Sequence, residues 1–374
     1  MSEFQTIHFA AIDKPLDGKQ LAYMEQQSSR ADVSRWQYDV EYHYSDFRGN
    51  AVEMMRRGYD VHLHYANFGI RKLMFRLPLG LPVDAKTLKR YSLEYCLEWK
   101  KNPRGKGGVL SIQPESDGGS YCEDYFEFDR MRAMLPKIRD TLIGGDTRLL
   151  YLGWLVCNWD EEVIEPPVPA GLKKLTPELQ EFVLFHELDV DLLAAAASAS
   201  PAISKQADPS TDFDGWLKKQ TAATLRGLMR RVLDGDAAAV RAESLAGIRE
   251  MFGASTWPVV EGTRTLAELR ELATGKANTR QQREATAEQN RLEKRLAKLR
   301  SDPESAIKEA EKMVETRSTA NYVEAAKLLA ELRDALPGEN GTRLADRAAM
   351  RLAKKYPTLS YLKRAFKTEG LNYK

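Results

Sequence analysis

Ser34-Arg35-Trp36-Gln37-Tyr38-Asp39-Val40-Glu41-Tyr42-His43-Tyr44 alternates without a break. Trp36, Tyr38, Val40, Tyr42 and Tyr44 fall on one face. Arg35, Gln37, Asp39, Glu41 and His43 fall on the other. A period of two is that of a half-buried strand, whose successive side chains point to opposite sides of a sheet. One such strand needs partners, and the flanking sequence supplies them.

Upstream, Phe4 to Ile12 reads as a first strand and Gly18 to Ser28 as a short helix. Downstream, Asn50 to Arg57 is helical. Tyr59 to Tyr65 and Lys72 to Leu77 read as paired strands across the turn Asn67-Phe68-Gly69. Ala85 to Tyr91 is a short helix, and Leu93, Tyr95, Leu97 and Trp99 alternate again. The turn chemistry of Lys101-Asn102-Pro103-Arg104-Gly105-Lys106-Gly107-Gly108 then leads into Val109 to Gln113. The order βαβαββαββ predicts an α+β domain over residues 1–116. Its expected core is an antiparallel or mixed sheet with helices on one face, ferredoxin-like in its nearest common description.

From about Phe128 the pattern turns helical. Asp129 to Leu142 and the very apolar Asp146 to Trp159 come first. Thr176-Pro177-Glu178 opens a further helix, with Thr176 as N-cap and proline at the first helical position. Asp189 to Ser198 is alanine-rich. These define a helical domain at 117–200, followed by a linker at 201–212 and a helical hairpin at 213–262. A basic, all-α, repeat-like tail fills 263–374. In it, Tyr322 to Leu336 and Thr342 to Tyr356 form an antiparallel pair across Pro337-Gly338-Glu339-Asn340-Gly341. Leu292, Leu296 and Leu299 make a heptad-like run too short for a coiled coil.

Composition narrows the class. The 374 residues are 43% hydrophobic and 29% charged, ordinary for a folded chain, and the net charge is only +2. Cys96, Cys122 and Cys157 have no CxxC spacing, so neither a disulfide framework nor a cysteine zinc site is expected. Met1 to Gln5 lacks a signal-peptide pattern, and no stretch approaches 18 consecutive apolar residues. A cytoplasmic protein without a membrane span is the expectation.

Charge is unevenly spread. From Arg343 to Lys374 nine basic residues face two acidic ones, about +7, which leaves about −5 for the rest. Arg343, Arg347, Arg351, Lys354 and Lys355 recur at helical spacing along one face. Lys363, Arg364 and Lys367 continue the charge. Such a stripe suits an anionic partner, either an acidic protein or a phosphate backbone. It is equally the solvated face of a packing module.

Three histidines form the second candidate. His62 and His64 flank Leu63 on one strand and so share a face, and His43 lies on another strand. Convergence of the three would make a transition-metal site. The acidic run Glu123-Asp124-Tyr125-Phe126-Glu127-Phe128-Asp129 offers paired carboxylates, but acids are also favoured where a helix begins. Asp160-Glu161-Glu162 reads as solvent-exposed. His186-Glu187 has no second histidine of a zincin motif, and no phosphate loop, dinucleotide fingerprint or nucleophile elbow occurs. No cofactor is expected.

Tyr59-Asp60-Val61-His62-Leu63-His64-Tyr65-Ala66-Asn67-Phe68-Gly69, with Arg71 to Pro78 after it, resembles an uncharacterised bacterial protein family often encoded beside SWIM zinc-finger proteins. Gly145 to Trp154 and Leu188 to Leu193 carry the same resemblance. Tyr322 to Leu336 and Leu362 to Leu371 resemble the tail of SWIM-type proteins. The resemblance implies a bacterial origin and a shared fold, and it supplies no activity. The Cys-x-Cys…Cys-x-His pattern of a SWIM finger is absent. The expected function is that of a non-enzymatic binding or adaptor protein acting through the basic tail. Nucleic-acid binding is the alternative, and a metal-dependent enzyme a second one.

Overall fold

A computed structural model describes residues 3–78, 83, 85–103, 107–115, 125–203, 213–252 and 257–374. The strands and helices of the first part run in the order β1 Phe4–Ala10, α1 Gly18–Glu25, β2 Asp32–Val33, β3 Gln37–His43, α2 Ala51–Arg57, β4 Val61–Ala66, β5 Ile70–Leu77, α3 Ala85–Tyr91, β6 Leu97–Lys101 and β7 Gly108–Ile112. The seven strands form one sheet in the order β2-β3-β1-β4-β5-β7-β6, and every neighbouring pair is antiparallel. The α+β expectation holds, in its antiparallel form. Tyr38, Val40 and Tyr42 point into the core as the alternation requires. Trp36 and Tyr44 do not, because β3 begins only at Gln37 and ends at His43, where Tyr44 turns back with φ +58°.

Helices cover both faces of the sheet rather than one. The reason lies in β1 and β4, which are largely buried on both sides. Ile7 and Phe9 join Tyr38, Val40, Met54 and Met55 beneath α1 and α2. Leu63, Tyr65, Leu73 and Phe75 join a larger core on the other face. Local signals place the covering helices. Asp17 and Gln20 close a reciprocal capping box on α1, and Asn50 caps α2 by accepting from the Glu53 amide at 3.0 Å.

The larger core is completed by α4 Tyr125–Ile143, α5 Arg148–Cys157, α6 Pro177–Phe185 and α7 Val190–Ala196, with the two-stranded β8 Val168–Pro169 and β9 Val259–Val260 at its margin. Nine of the ten residues of α5 are buried, as its apolar sequence demands. Between α7 and β9 lie α8 Phe213–Lys219, α9 Ala222–Leu233 and α10 Ala237–Phe252. Where a hairpin was expected there are thus three helices, because Thr221 caps α9 and breaks the first. Buried Glu165 fastens this region. It accepts from Tyr151 at 2.5 Å and from Arg264 at 2.6 and 2.8 Å.

The chain divides into two units, residues 1–277 and 278–374, and the boundary falls inside α11 Leu266–Ser301. Leu266, Leu269 and Ala273 of α11 belong to the first unit's core and Leu299 to the second's. Residues 281–290 are all exposed. The second unit is helical: α12 Pro303–Glu315, α13 Thr319–Ala335, α14 Glu339–Lys355 and α15 Ser360–Thr368. Its core is alanine- and leucine-rich, with Tyr322, Leu352, Leu362 and Phe366 as the larger members. The expected antiparallel pair is α13 and α14. Among the described residues no helix is long and apolar enough to cross a membrane. Cys122, Glu123, Asp124, Arg104 to Lys106 and residues 204–212 of the expected linker lie outside the described residues.

Candidate functional site

The three histidines do not come together. Register places His62 opposite Phe9 and His64 opposite Ile7, so both lie on the α1/α2 side of the sheet. His43 is opposite Phe4, whose ring belongs to the core on the other side. Strand parity therefore puts the sheet itself between His43 and the other two. His43 is exposed and holds Glu41 at 2.8 Å.

His62 is fully buried, stacks on Phe9 with ring centroids 4.0 Å apart, and donates from Nδ1 to the His8 carbonyl at 3.0 Å. His64 donates from Nε2 to Gln5 Oε1 at 2.7 Å. Burial pushes His62 well below the usual imidazole range, and burial with Lys72 nearby lowers His64 to about 4. Both rings are thus neutral packing groups. Among the described residues no set of three or more His, Cys, Asp or Glu side chains could hold a metal ion.

Asp39 was adjacent to His43 only in sequence. Pairing of β1 with β3 gives it instead to His8, at 2.7 Å, a partner that sequence spacing did not reveal.

The basic stripe forms on α14 and then divides. Arg351 pairs with Glu311, and Lys355 lies 3.1 Å from Glu315, so two cations are neutralised by α12. At 100° per residue, Arg343, Lys354 and Arg347 fall within an arc of about 40°, whereas Arg351 and Lys355 stand about 40–80° further round, toward α12. The first three are exposed. On α15, Lys363 donates to the Pro357 carbonyl at 2.7 Å, while Arg364 and Lys367 are exposed.

Beside Arg364 a groove of 260 Å³ opens, lined also by Thr319 and Val323 of α13, by Tyr361, Ala365 and Thr368 of α15, and by Glu369 just after it. Its two apolar lips are open to solvent: Tyr361 is 64% exposed and Val323 42%. The helix periodicity that predicted the charges also made this groove, since Leu362, Ala365 and Phe366 face the core and leave Tyr361 and Arg364 outside.

The first unit contains a charged cleft of 390 Å³ that no sequence spacing announced. At its back Asp60 is completely buried. It accepts from the amides of Ile12 (2.7 Å) and Asp13 (3.0 Å), from Arg76 at 2.6 and 3.1 Å, and from Arg139 at 3.3 Å. Arg139 spends its other contacts on Asp13, at 2.9 and 2.7 Å, and on the Arg76 carbonyl at 2.8 Å. Burial works to raise the Asp60 carboxyl, but the two guanidinia and the two amides outweigh it and hold it below the usual carboxylate range. On the facing wall Arg231 binds Asp236 at 2.6 Å and Glu243 at 2.5 Å.

A second cleft, of 430 Å³, lies between Trp159, Leu155, Leu188 and Arg71. His186 lies on it. Both ring nitrogens of His186 are enclosed without a hydrogen-bond partner, and burial lowers the ring to about 3.

No protein-family model, curated protein or solved structure matches the chain.

Proposed function

We propose that this is a non-enzymatic binding protein whose C-terminal helical unit docks an acidic polypeptide. The observation that carries the reading is the groove between α13 and α15. An exposed tyrosine, an exposed valine and an arginine frame one small depression. Tyrosine and arginine are the residue types that dominate binding energy at protein interfaces. Arg364 and the Arg343, Arg347 and Lys354 edge favour acidic residues in the partner, by attraction over about 8–10 Å at physiological salt.

A phosphate backbone fits less well. Nucleic-acid binding rests on many neutralised phosphates, about 6–10 in a typical site. Here Arg351 and Lys355 are already paired, and the Glu311 and Glu315 that pair with them lie on the next helix.

The test is fluorescence anisotropy of the full chain with a labelled glutamate-rich peptide carrying one phenylalanine, beside a labelled DNA duplex, across a salt series. Truncation after Gly341 is unsuitable, because Leu352, Leu362 and Phe366 belong to the core. Tyr361→Ala and Arg364→Glu leave that core intact. Peptide binding that each weakens by at least tenfold supports the reading. Duplex binding with a steep salt slope, indifferent to Tyr361→Ala, overturns it in favour of nucleic acid. No binding of either overturns the assignment to this face.

A further inference from the structure

We propose that the charged cleft of the first unit is a binding site for the phosphate group of a small phosphorylated molecule, independent of the helical unit's docking face. Its volume of 390 Å³ is of the size that holds a small ligand.

The carboxylates around it are already engaged. Asp13 is held by Arg139, Asp60 by Arg76 and Arg139, and Asp236 and Glu243 by Arg231. Lys14 and Arg56 also line the cleft, and no carboxylate is paired with either among the described residues. Arg56 gives one terminal nitrogen to the Lys101 carbonyl at 3.3 Å, and its Nε is enclosed without an acceptor. Two cations without a carboxylate of their own therefore stand on the wall, and five cations against four carboxylates leave the cleft with a net charge of about +1. A phosphate monoester presents three strong acceptor oxygens to these two cations, where a carboxylate presents two.

Backbone polarity points the same way. Ala238 and Ala239, in the first turn of α10, form part of the wall. The first amides of a helix have no intrahelical acceptor, and the positive end of the helix favours an anion. The acid nearest that end, Asp236, has its carboxylate on Arg231.

The site is also preorganised. Asp60 pins the Arg76 and Arg139 guanidinia from behind, so their positions are fixed before any ligand arrives. Gly235, at φ +87°, lets the α9–α10 turn close on Lys14, and a side chain there would place Cβ 2.6 Å from Lys14 Cβ. Leu77, Pro78 and Val109 supply an apolar margin for the rest of the ligand.

The experiment is isothermal titration of the full chain at low ionic strength with inorganic phosphate, phenyl phosphate and glucose 6-phosphate, and with benzoate as a carboxylate control. Saturable binding of at least one phosphate ester, with benzoate at least tenfold weaker, is expected. Lys14→Met and Arg56→Met should each weaken it by at least tenfold. Lys14 is exposed, so its replacement spares the core, and melting temperatures check both variants. Arg347→Ala, in the helical unit, should leave it unchanged. Absence of saturable phosphate binding overturns the proposal. So does benzoate binding as tight as phenyl phosphate, or affinity that survives in Lys14→Met.

Discussion

Arg139 donates both terminal nitrogens to the Asp13 carboxylate across 126 residues of sequence. It thereby ties the C-terminal part of α4 to the segment after β1, and with Asp60 it forms a buried ion network at 3% and 0% side-chain exposure. Removing one member of such a network leaves a charge uncompensated in a poorly solvated place. Arg139→Met should therefore cost about 3–5 kcal/mol, read as a lower urea midpoint. Asp13→Asn, at the partly exposed end, should cost less. Equal losses would mean that the network is not the unit of stability.

Acidification should weaken the fold in two stages. His64 and His186 have folded pKa values near 4 and 3, below the usual 6.5, and His62 is also depressed. Unfolded imidazoles take up protons as pH falls below about 6.5 while the folded ones do not, so stability falls from there toward pH 4. Asp60 adds a later loss. Its folded pKa is depressed, so its contribution persists above the ordinary carboxyl range and disappears as pH falls through the folded value. In His64→Gln, whose amide can still donate to Gln5, the melting difference between pH 7 and pH 5 should shrink. An unchanged difference would remove His64 from the account.

Glu165 is the clasp of the β8 margin, 1% exposed at its side chain and shared by Tyr151 and Arg264. Glu165→Leu should cost about 3–5 kcal/mol, since it strands the Arg264 guanidinium. Tyr151→Phe removes one hydrogen bond to a charged acceptor, about 1.5–3 kcal/mol. Denaturant titration of the two variants should rank them in that order.

Trypsin should find α11 before the other described helices. Residues 281–290 are exposed throughout, and Arg280, Arg283, Arg291 and Lys294 offer cleavage sites there. Because the two cores are separate clusters, the fragment that begins near residue 284 should keep a cooperative helical melt. Loss of all helical signal on cleavage would show that the second unit is not stable alone.

The sheet was legible where one face was read at a time. Alternation assigned Tyr38, Val40 and Tyr42 inward, and the same parity put His62 and His64 together. Register is a relation between strands, and nothing local encodes it, so the side of the sheet that His43 occupies could not be read from its own strand. Helical periodicity likewise gave the α14 charges. It could not show that α12 would bring Glu311 and Glu315 against two of them. The charged cleft was the least legible part. Asp13, Asp60, Arg76, Arg139 and Arg231 come from five distant segments, and each alone resembles an ordinary surface charge.

The ends of the seven-stranded sheet bear on how this protein behaves in a crowded solution. At one edge β2 is only two residues long. At the other, β6 carries exposed Lys100 and Lys101 and runs into Asn102-Pro103. Short edges, lysines and proline all hinder a second chain from adding a strand. The sheet thus meets neighbouring molecules with unwelcoming margins, and Lys100→Val with Lys101→Thr would turn one of them into a template for self-association.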